Sequence, residues 1–181
     1  MTDPSPPLGA LLATMRAGRT WIAALPTEAY ASVTLLPGST IGAQFRHHLD
    51  YVEALLVGLD SGRVDYDGRA RELACERDPA VALRRALVLE AGIERHMAQG
   101  ALGMGTPLLV RECCDAHAES PWLPSTVGRE VAAVLSHTVH HHAILAVTAL
   151  SLGLPVDVDL ALAPATRRHR NQIAQGGSAI P

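Results

Sequence analysis

The stretch Thr126–Leu152 constrains this chain most. It is bounded by Ser125, a good capping residue, and by Gly153 and Pro155, which stop a helix, and its apolar residues recur at helical spacing. Three further segments carry the same signature. Leu8 to about Leu25 follows Pro4, Pro6 and Pro7, which suit a first turn, and ends near Pro26. A second helix runs from Ser39 or Thr40 as cap to about Leu59, with Ile41, Phe45, Val52, Leu55, Leu56 and Leu59 at helical spacing. A third opens on the pair Asp78-Pro79 and runs to about Gln99, where Gly100 breaks it.

Four long helices with mixed connections imply an all-α chain and a four-helix bundle, an architecture that builds metal sites from side chains on facing helices. Composition agrees: 48% of residues are hydrophobic but only 3% aromatic, so the core is aliphatic. The connections are Pro37-Gly38-Ser39, the polar segment Arg63–Glu76, a glycine-rich break up to Pro107, and a turn at Pro121–Ser125. Leu108–Cys113 reads as a short extended piece. Val156–Pro181 reads as loop or short helix with a mobile end. At 181 residues the chain fits one domain, placed at 1–165, with 166–181 as a C-terminal tail.

Charge and cysteine usage narrow the partners. The formal net charge is −3, all the basic residues are arginines, and they are interspersed with acids, which argues against nucleic acid as a partner. Cys75, Cys113 and Cys114 are odd in number and lack a CxxC spacing, so neither a disulfide framework nor a zinc ribbon is expected. Ala143–Leu150 is too short an apolar run to cross a bilayer. The segment MTDPSPPLGALLATMRAG has no basic stretch leading into an apolar run, so the expected location is the cytoplasm, away from membranes. Apolar bundle faces often pair, and a homodimer is expected.

Six of the nine histidines fall in two clusters: His47 and His48, then His137, His140, His141 and His142. Residues four apart on a helix lie one above the other, so His137 and His141 project to a common point. A third imidazole from the second helix completes a set suited to Zn²⁺, Ni²⁺ or Fe²⁺. Periodicity leaves two contenders for it. His48 lies on the Ile41, Phe45, Val52, Leu55 stripe and is slightly favoured as inward-facing; His47 lies beside it, with Gln44, Tyr51 and Ala54. His96, His117 and His169 read as surface residues.

The segments STIGAQFRHHLDYVEALLVGLDSG, VDYDGRARELACE and STVGREVAAVLSHTVHHHAILA resemble the DinB-like family of metal-binding proteins, over about Leu8–Ala165. The resemblance implies a four-helix bundle of DinB-like type with long connections, holding one divalent ion on three histidines. Against the family's IGxHxRHxLD pattern, IGAQFRHHLD puts a ligand on His47, and HxxxH puts the others on His137 and His141. Gln44 stands where many relatives have another histidine. The resemblance also implies a thiol-dependent transferase or isomerase, in which the ion activates a low-molecular-weight thiol toward a small electrophile. A hydrolase or isomerase, or a non-catalytic stress-response protein, fits the same ligand set.

Around the ion, Glu130 falls two turns before His137 on the same face, as a hydrogen-bond acceptor for a ligand or a general base. Equally, it is an acid favoured by the first turn of a helix. Tyr66, Asp67, Arg69 and Arg71 match a YDxRxR signature of the family and are expected to line the mouth or bind an acidic ligand; the plain reading is a solvated loop. Arg129 pairs with that loop or a bound carboxylate, with a surface ion pair as the default. Cys113 and Cys114 read as structural or incidental.

Overall fold

The computed structural model describes residues 6–32, 34, 39–100 and 103–175. The expectations placed on Pro4, Pro37, Gly38 and 176–181 lie outside them. The described residues are mostly helical and add one small sheet.

Helix α1 (Pro6–Ala23) carries prolines in its first turn, where their missing N–H groups cost nothing. A single turn, α2 (Thr27–Tyr30), follows. Helix α3 (Ile41–Ser61) is capped by Thr40, whose hydroxyl accepts the Ala43 N–H at 2.9 Å. It ends at Gly62, whose φ of 76° only glycine adopts without strain. Strand β1 (Arg63–Asp65) and the short α4 (Leu73–Arg77) then occupy the segment expected as a polar connection. Asp78 caps α5 (Pro79–Gln99) by accepting the Ala80 N–H at 2.8 Å.

Strand β2 (Pro107–Arg111) matches the extended piece expected there. Strand β3 (Leu123–Thr126) replaces most of the turn expected at Pro121–Ser125. The order is β1-β2-β3, with β1 parallel to β2 (Val64 opposite Val110) and β3 antiparallel to it (Leu108 opposite Ser125). β3 runs directly into α6 (Val127–Ser151), whose N-cap is Thr126 and not Ser125. A 3₁₀ turn (Val158–Ala161) and α7 (Pro164–Ala174) close the described chain. α7 covers much of the segment expected as a tail, and none of its residues is buried.

The core lies where α3 and α6 pack on each other, with α1 against α5 and α6 and α5 against α3. Leu11, Met15, Phe45, Leu49, Leu55, Ile93, Val131 and Leu145 are almost fully buried there. His96, expected at the surface, is buried: it continues the inward stripe Ala82, Ala86, Leu89, Ile93 of α5 and lies 3.5 Å from Asp60. Among the described residues no helix is long and apolar enough to cross a membrane.

Candidate metal centre

On α6, Val134, Thr138, His142 and Leu145 face inward, and His137 and His141 form the neighbouring ridge. On α3, Phe45, His48, Leu49 and Val52 face inward, and His47 stands to one side with Tyr51. The two off-centre ridges meet where α3 crosses α6. There the ligand nitrogens of His47, His137 and His141 lie within 4.8 Å of one another. Their ring centroids are 4.5–5.2 Å apart. His48 is the inward residue that periodicity indicates, and for that reason it is absent from the cluster: it is 0% exposed, walled in by Phe45 and His142. A site that exchanges ligands needs an open side, which His47 has.

Burial sets the protonation of the three rings. His47 is pushed down to about 4 by desolvation, then by the Arg69 and Arg46 guanidinium groups. Desolvation and the neighbouring His47 lower His137 to about 4, and desolvation and His137 take His141 to about 3. Neutral imidazoles are the form that ligates a metal. His137 Nε2 is buried without a hydrogen-bond partner among the described residues, and His141 Nδ1 lies 2.7 Å from Gln44 Oε1. Three neutral, converging imidazoles with an orphaned nitrogen fit a divalent cation of the Zn²⁺, Ni²⁺, Fe²⁺ type.

A cavity of about 250 Å³ adjoins the cluster at His137. Tyr51, Tyr66, Val110, Leu123 and Val134 give it aromatic and aliphatic walls, and Glu112, Cys114, Arg129 and Glu130 supply its polar groups. The sheet builds one side. Strand β1 delivers Tyr66, whose N–H donates to the Arg111 carbonyl at 2.9 Å, and β3 delivers the start of α6. Tyr66 Oη then donates to Glu130 Oε2 at 3.0 Å, and Ser125 Oγ to Glu130 Oε1 at 2.6 Å. Tyr51 stacks on His137, with centroids 3.7 Å apart, and donates to Glu112 Oε1 at 2.9 Å.

The structure thus brings Tyr66, Arg129 and Glu130 to the cavity beside His137. Glu130 is buried in its wall, but its oxygens accept hydrogen bonds from the Tyr66 and Ser125 hydroxyls; the side-chain oxygen beside a triad ring is that of Gln44. Arg129 is exposed at the rim, 3.6 Å from Glu130 Oε1. Asp67 is absent from the cavity and instead accepts the Cys113 N–H at 2.7 Å, fastening its loop to the chain after β2. Arg69 lies over the Tyr51 ring, 4.3 Å from its centroid, in a hollow outside the cavity. Arg71 takes a φ of 50°, and its guanidinium lies 3.5 Å from the Asp67 and Arg69 carbonyls. Gln44, Tyr51 and Glu112 were not singled out for these roles. For the first two the signal is helical spacing, three residues before and four after His47.

A scan against protein-family models finds no match to this chain, and a search of curated proteins finds none.

Proposed function

We propose that this chain is a metal-dependent enzyme of DinB-like type, its helices α1, α3, α5 and α6 forming a four-helix bundle, that transfers a low-molecular-weight thiol to a small electrophile. The observation that carries the reading is the convergence of His47, His137 and His141 from two helices, their ligand atoms within 4.8 Å. A bound Zn²⁺, Ni²⁺ or Fe²⁺ supplies Lewis acidity, stabilising a thiolate where a free thiol keeps its proton. The protein does the rest. His137 belongs both to the triad and to the cavity wall, so a molecule in the cavity would lie beside an ion held by the triad. Tyr51, Val134 and Leu123 keep that wall apolar, and Arg129 at the rim offers a cation to an anionic substituent. Glu130 is oriented by two hydroxyls and is the group placed to hold a proton. The cavity favours turnover over a purely structural or stress-sensing ion.

The test is elemental analysis of untagged protein, followed by thermal shifts with a panel of small thiols. We expect about one divalent ion per chain, lost in His137→Ala and kept in His169→Ala. Thiols should raise the melting temperature of the loaded protein in proportion to the logarithm of their concentration. Metal-free protein indifferent to Zn²⁺, Ni²⁺ and Fe²⁺ would overturn the site. Loaded protein indifferent to every thiol would overturn thiol transfer.

A further inference from the structure

A polar chain runs behind the triad. His141 Nδ1 lies 2.7 Å from Gln44 Oε1, and Gln44 Nε2 donates to Ser39 Oγ at 2.9 Å. Ser39 is buried just ahead of Thr40, the cap of α3, so the far end of the chain is tied to a fixed helix start. Gln44 sits one turn before His47. Helix α3 therefore contributes one ligand directly and also contacts the back of a second ligand that belongs to α6.

A neutral imidazole carries one proton, and where it sits decides which nitrogen ligates. Left alone, a histidine ring favours the proton on Nε2, which removes that lone pair. An acceptor against Nδ1 draws the proton there, frees Nε2 and fixes the rotation of the ring. Building on the metal reading above, we propose that Gln44 is the positioning residue of the site. It accepts the Nδ1 proton of His141 and so presents Nε2 as the ligand atom. The bond between Gln44 Nε2 and Ser39 Oγ anchors the far side of the amide; the hydroxyl pairs with either amide atom, so the tautomer of His141 reads which one faces the ring. The opposite orientation would have the amide donating to Nδ1 and would leave His141 Nε2 protonated.

Two measurements test this. The first is ¹⁵N NMR of the His141 ring in metal-free protein, assigned with His141→Ala. The Nδ1–H form is expected in wild type and in Gln44→Glu, which keeps an acceptor, and the Nε2–H form in Gln44→Leu. The second is Zn²⁺ affinity by competition with a chelator. Gln44→Leu should bind about 10–100-fold more weakly, and Gln44→Glu should restore wild-type affinity or exceed it. An Nε2–H ring in wild type overturns the proposal. So does a Gln44→Leu affinity within about twofold of wild type, or a Gln44→Glu protein about tenfold weaker. Those results on a protein that binds metal sink the positioning role alone. An Nδ1–H ring in a wild-type protein that takes up no metal sinks the metal reading, and the role with it.

Discussion

Adjacent histidines on two facing helices have opposite surroundings. His47 and His141 reach the triad, while His48 and His142 turn inward, are 0% exposed, and pack edge to face with centroids 5.2 Å apart. Among the described residues neither ring nitrogen of His142 has a hydrogen-bond partner. Helix α1 makes room for the pair at Gly18, where a Cβ would run into His142 Nε2. Two effects compete in Gly18→Ala. Alanine gains up to about 1 kcal/mol of helix propensity, whereas overpacking a closed core costs about 1–3 kcal/mol. The clash should win in the wild type, so Gly18→Ala lowers its stability. In a His142→Ala background the obstacle is gone and the same change should stabilise. Urea denaturation of the four proteins in this cycle reads the sign. A gain in both backgrounds would show that His142 yields freely and is not boxed in.

At the scale of elements, helix starts follow side-chain chemistry closely. Thr126 Oγ1 accepts the Arg129 N–H at 3.3 Å at the start of α6, while its neighbour Ser125, expected as the cap, turns to Glu130. Thr126→Ala should therefore cost about 1 kcal/mol and shift the urea midpoint without changing the slope. A midpoint unmoved by Thr126→Ala would assign the cap elsewhere. The long helices were legible because each has its own cap, stripe and stop within one continuous segment. The sheet was not. β1 spans only Arg63–Asp65, too short for any alternation to register, and its partners at Leu109–Arg111 lie far along the chain. That hidden pairing is what carries Tyr66 to Glu130, so the cavity wall is illegible in the sequence although Tyr66, Arg129 and Glu130 each stand out singly. The triad was half legible. Spacing gives His137 with His141, but periodicity favours the inward-facing His48 on α3, and it is the family resemblance that puts the third ligand on His47.

For the whole molecule, five imidazoles gathered where α3 meets α6 make stability depend on pH. His47, His48, His137, His141 and His142 are all held below the ordinary histidine range, chiefly by burial. His142 stands at about 4. In the unfolded chain each takes a proton near pH 6.5. Above that pH neither state is charged, and these rings leave stability unchanged with pH. As the pH falls from about 6.5 toward 4, the unfolded chain binds protons that the folded protein refuses, so the folded state loses ground. Each such ring contributes a slope on the order of 1.4 kcal/mol per pH unit. For His142, held at about 4, two pH units amount to roughly 3 kcal/mol, a large fraction of the stability of many domains, and the buried His48 acts in the same direction. Metal-free protein should accordingly show urea midpoints that drop steeply between pH 6.5 and 4.5. In the double variant His48→Leu/His142→Leu the drop should be shallower, because no imidazole is left there to charge on unfolding. A bound divalent ion should lift the whole curve, since it holds the triad in its neutral form and binds the native state alone. Flat midpoints from pH 6.5 to 5 in the metal-free wild type would mean that these rings accept protons in place, and would refute the buried, neutral cluster on which the site depends.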